Sequence, residues 1–149
     1  KEALFYSLCD PVKGRLDELF SQFKIFESGK NFRDESFLNS FISITAKGIA
    51  SFVNEKRASL LLILDCSAGT RYEGYRAEVA EYLERHFTND LSKTQKNGEN
   101  LYVMRIIAVN LVQSIIDIIR RNKGESWSGK IIAGYLRYHI RGIAQFFES

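Results

Sequence analysis

The sequence predicts an all-α domain of about six helices. Apolar residues recur in steps of three and four over most of the 149 residues. A single Pro and ten thinly spread Gly leave long stretches without a helix breaker. No apolar run shows strand alternation, and none has a visible partner strand. With 45% hydrophobic residues, residues 1–149 can bury the core of one domain.

Residues 1–28 read as a helix kinked or restarted at Pro11, which cannot donate an amide bond and clashes with the turn before it. Asp10 can cap a restart there. Beyond it Val12, Leu16, Leu19, Phe20, Phe23 and Phe26 keep helical spacing, and Ser28-Gly29-Lys30-Asn31 ends the segment. Asp34 opens a second helix to about Glu55, apolar over most of its circumference and so packed on several sides. Residues 57–67 hold Leu60-Leu61-Leu62-Ile63-Leu64. This run predicts a short buried helix ending near Gly69. Thr70-Arg71-Tyr72-Glu73 fits a reciprocal capping pattern. The helix after it carries Tyr75, Val79, Tyr82, Leu83, His86 and Phe87 on one face. Residues 92–100 are polar and predict a loop.

The last two helices, about 101–122 and 127–147, are the most apolar. Gly134 and Gly142, two turns apart, permit close helix approach. The pair carries more apolar surface than one small domain is expected to cover, which predicts an intersubunit bundle. Its expected contacts are Val112, Ile115, Ile119, Leu136, His139, Ile140, Ile143 and Phe147.

Charge and composition narrow the function. A net charge of +3 with scattered Lys and Arg is no nucleic-acid footprint. Cys9 and Cys66 make no disulfide framework, which fits a reducing cytoplasm. The apolar run Leu101–Ile119 is long enough for a membrane, but Arg105, Asn110, Gln113 and Asp117 interrupt it, so a buried helix is expected instead. There is no metal-ligand spacing, phosphate-binding Gly loop or Gly-x-Ser-x-Gly turn. No cofactor, metal or catalytic group is expected. Lys1 is not a Met, and the start is helix-like without a cap, as if cut from a longer protein.

Lys1-Glu2-Ala3-Leu4-Phe5 resembles the end of the DNA-binding signature of the TetR family, where it begins the helix linking two domains. Leu64-Asp65-Cys66-Ser67 between two helices, and the ending Tyr138-His139-Ile140-Arg141-Gly142-Ile143, are similar to one subset of these regulators. The order of helices is similar throughout. The resemblance implies an orthogonal helical bundle of the TetR C-terminal type. Residues 1–28 would be the linker helix, and the last two helices would form a four-helix bundle with a twin. It implies a homodimeric, cytoplasmic sensor of a small apolar or aromatic effector. Operator DNA would be contacted only through an N-terminal helix-turn-helix head, which residues 1–149 do not include. Phe37, Phe41, Tyr72, Tyr75 and Tyr102 lie on helices that the family places around its pocket, and such rings suit planar molecules, although core packing explains most of them equally well. Arg105 and Gln113 would project into the same cavity or stand at its rim. Asp65, beside Cys66, is either a pocket acid for a cationic or hydrogen-bonding ligand or a structural acid paired with Arg71, Arg105 or a helix start. His86 and His139 read as packed, hydrogen-bonded histidines rather than metal ligands, the alternative for His139 being a pH-sensitive contact with its own mate across the two-fold axis. A ligand-free helical adaptor dimer is the rival reading, and a small-molecule enzyme a more distant one.

Overall fold

The computed structural model describes residues 1–21, 23 and 34–148, with side chains to Phe146. Five helices appear among them, and no strand: α1 (Glu2–Ser21), α2 (Glu35–Asp65), α3 (Tyr75–Asn89), α4 (Gly98–Arg121) and α5 (Glu125–Glu148). The expected stop at Ser28-Gly29-Lys30-Asn31 and the side chain of Phe147 lie outside the described residues.

Pro11 does not interrupt α1, which runs through it. Tertiary packing outweighs the missing amide bond. Cys9, Val12 and Leu16 are buried on either side of Pro11. Asp10 does not cap a helix start. Its carboxylate reaches across the fold and accepts from Arg71 and from the Tyr72 hydroxyl.

Asp34 caps α2, its Oδ1 accepting from the amides of Ser36 at 2.9 Å and Phe37 at 3.4 Å. The helix bends at Lys56 (φ −113°, ψ 20°), so the expected helices 34–55 and 57–67 are two limbs of one kinked element. Arg57, just past the bend, donates through Nε to the carbonyl of Ile119 at 2.9 Å and through Nη2 to that of Arg120. These are carbonyls at the end of α4, where intrahelical partners run out.

The segment 67–74 forms consecutive turns rather than the first turn of α3. Thr70 Oγ1 donates to the Ser67 carbonyl and accepts from the Tyr72 amide. Glu73 accepts from the Gly69 amide at 3.3 Å. The capping pattern therefore fixes the loop, and α3 starts two residues after Glu73.

Asn97 caps α4 through a 2.8 Å bond from the Asn100 amide. The connection 122–124 is short because Gly124 takes a left-handed φ of 112°. Asn122 Oδ1 accepts there from the Gly124 amide and from the buried Ser128 hydroxyl.

The core runs along α2, which packs against α5, α1 and α4, while α3 packs chiefly on α4. Leu16, Leu60, Ile63, Leu83, Met104, Leu111, Ile119 and Leu136 are fully enclosed in it. By length and composition α2 and α4 could each cross a membrane. In this fold their most apolar faces are turned into the bundle.

Candidate functional site

A cleft of about 380 Å³ opens between α1 and α3. Phe20, Tyr75 and Val79 form its floor, all buried, and Tyr82 stands half-exposed at the mouth. Lys13, Asp17, Glu18 and Glu78 make the rim. Helical spacing sets this arrangement. Lys13, Asp17, Phe20 and Ser21 follow one face of α1, and Tyr75, Glu78, Val79 and Tyr82 follow one face of α3. The Tyr75 hydroxyl donates to Asp17 Oδ1 at 2.6 Å, and Lys13 Nζ lies 2.8 Å from Asp17 Oδ2. Burial, then the bond to Asp17, pushes the Tyr75 hydroxyl pKa far up, so it stays a neutral donor.

One end of α1 is latched to the loop before α3. Asp10 holds Arg71 and Tyr72, the Tyr6 hydroxyl accepts from the Arg71 amide at 3.1 Å, and the Arg71 guanidinium lies 4.1 Å over the Tyr6 ring. Bonds from Arg71 and Tyr72 hold the Asp10 carboxyl below the usual carboxylate range.

The residues expected around one pocket are dispersed. Only Tyr75 lines the α1–α3 cleft. Tyr72 belongs to the Asp10 latch. Phe37 and Phe41 lie on the first turns of α2, and Cys66 is exposed. Tyr102 and Arg105 lie on the outer side of α4.

Asp65 has a structural partner, but not one of those expected. Arg120 binds it with two nitrogens, Arg76 stands 3.9 Å away, and Arg120 also approaches Asp117 at 3.4 Å. The Arg120 bond holds the Asp65 carboxyl low. Gln113 joins this network instead of a cavity, accepting from Arg76. The signal for Arg120 was its place at the end of a helix bearing Asp117, but only the fold brings it to α2.

The expected subunit contacts are also placed elsewhere. Val112, Ile115, Ile119, Leu136, His139, Ile140 and Ile143 are each at most 4% exposed within one chain. They belong to its own core, so no partner reaches them without opening it. The most apolar stripe of each helix faces inward, and a weaker second stripe is left outside. That stripe comprises Tyr102 (64% exposed), Ile106 (43%) and Val109 (47%) on α4, with Ile131 (40%) and Tyr138 (71%) on α5.

His139 does not wait at a two-fold axis. Its ring lies between Phe23 and Phe87, at 5.5 and 5.6 Å between centroids, and its Nε2 is buried without a hydrogen-bond partner. Burial pushes its pKa down to about 4, against a smaller upward pull from a backbone hydrogen bond at Phe23. Beside it a groove of about 250 Å³ runs between α4 and α5, lined by Ile106, Asn110, Tyr138 and Gly142.

No protein-family model, no curated protein and no solved structure matches this chain.

Proposed function

We propose that this chain is the effector-sensing and dimerising domain of a TetR-like transcription regulator. The observation that carries the reading is the second apolar stripe on the last two helices. Tyr102, Ile106 and Val109 follow one another at helical spacing on α4, and Ile131 and Tyr138 do so on α5. Aligned apolar side chains left in water on two neighbouring helices favour a self-complementary contact. The α1–α3 cleft supports the sensing part, because one wall of it is α1, the helix that would lead to a DNA-reading head. A ligand there acts only if it binds two placements of α1 unequally.

Sedimentation velocity over a dilution series tests the dimer. The wild type should sediment as a dimer, and Ile106→Asp combined with Tyr138→Ala as a folded monomer. A wild type that is monomeric at every concentration refutes the reading. Independently, the coding sequence upstream of Lys1 should encode a helix-turn-helix, and its absence there also refutes it.

A further inference from the structure

We propose that the cleft between α1 and α3 takes a small organic cation with an apolar or aromatic body. The inference rests on the reading of this cleft as the sensing site and names the class of ligand it selects.

Two features of the lining point the same way. The described rim sets one ammonium, Lys13, against three carboxylates, Asp17, Glu18 and Glu78. Lys13 is already matched by Asp17 at 2.8 Å, and among the described residues no other cation lies within ion-pair distance of Glu18 or Glu78. The described rim therefore carries an excess of negative charge, which repels anions and draws cations. Below the rim lie Phe20, Val79 and Tyr75, and the half-exposed ring of Tyr82 stands at the mouth. Aromatic faces attract cations by their quadrupole, most strongly where water is displaced. A neutral apolar guest would use the floor and waste the rim.

A metal ion does not suit the same lining. Among the described residues no three His, Cys, Asp or Glu side chains converge to hold one. Hard divalent ions require six or more oxygens, whereas these carboxylates stand around aromatic rings. The cleft volume of about 380 Å³ lies within the range of small-molecule sites.

The test is an NMR titration of the intact chain with benzyltrimethylammonium, its carbon isostere neopentylbenzene, and the anion phenylmethanesulfonate. The ammonium probe has about 11 non-hydrogen atoms and an open site, so a Kd on the order of 1 mM is expected. Its amide shifts should fall in Lys13–Ser21 and Tyr75–Tyr82. Neopentylbenzene should bind about tenfold more weakly and the sulfonate not at all. Glu18→Gln combined with Glu78→Gln, both at the rim, should weaken the ammonium about tenfold. Raising salt from about 0.1 M to 1 M shortens the screening length from about 10 Å to 3 Å and should weaken it too. Val79→Trp should fill the cleft and block binding. Equal affinity for the carbon isostere, unchanged binding by the doubly substituted chain, shifts elsewhere, or no binding overturns the proposal. The sedimentation result is independent of this one. A dimer that ignores the ammonium removes only the ligand class, and a monomer that binds it removes only the regulator reading.

Discussion

Acid should destabilise this fold through His139 before it reaches the carboxylates. The ring is 4% exposed, enclosed by Phe23 and Phe87, and its pKa is about 4 against an ordinary 6.5. A base whose folded-state pKa lies below its unfolded value is bound by more protons in the unfolded chain between those two pH values. Stability is therefore complete above about pH 6.5 and falls as pH drops towards 4. The 2.5-unit gap corresponds to about 3 kcal/mol, at 1.36 kcal/mol per unit. That is a large share of the roughly 5–15 kcal/mol by which domains are stable. The perturbation to compare is His139→Phe, which keeps a ring between Phe23 and Phe87 and removes the titrating nitrogens. At pH 7.5 the variant loses the backbone bond at Phe23 but also the unpartnered Nε2, and the two changes should cancel to within about 1 kcal/mol. Urea unfolding at pH 7.5 and pH 4 supplies the two free energies for each protein. The wild type should lose about 3 kcal/mol more than the variant across that interval. Asp10 and Asp65 titrate in both proteins, so their contribution drops out of the difference. Parallel losses in the two proteins would refute the buried, neutral histidine.

Three further outcomes follow from the packing. Leu83→Ala, at a fully enclosed position of α3, should cost about 2–5 kcal/mol in urea unfolding. Asp34→Ala should cost about 1 kcal/mol by freeing two amides of α2, and Asp34→Asn much less. Ile106→Asp should weaken self-association about 100-fold or more by analytical ultracentrifugation, because a two-fold contact meets the change twice.

Some features were legible because they are local. Asp34 before an apolar period marked a helix start, and the change of pattern near Glu55 marked the bend that falls at Lys56. Others were decided by distant residues. Pro11 reads as a break until Cys9, Val12 and Leu16 are seen anchored in the core and Asp10 held by Arg71 and Tyr72. Thr70 and Glu73 have the spacing of a cap, yet their bonds close turns instead. The subunit face failed for a physical reason. Helical period shows that Val112, Ile115, Leu136 and Ile140 share apolar faces, but not whether those faces turn to the core or to a twin. The weaker stripe of Tyr102, Ile106 and Val109 was masked by the stronger one. The cleft was least legible of all, because Lys13 and Asp17 are more than 50 residues from Tyr75 and Glu78.

Arg57 turns the bend of α2 into a splint. Its guanidinium sits on the carbonyls of Ile119 and Arg120, so straightening α2 at Lys56 would strip the donor from two acceptors at the end of α4. Both bonds are partly or fully open to water, so the loss is smaller than the roughly 1–3 kcal/mol of a buried unmatched group. The bend of α2 and the end of α4 are therefore tied together as a single strut. On the sensing reading proposed above, the signal would be carried by movement of α1, which the Asp10 latch holds just before the stretch that lines the cleft.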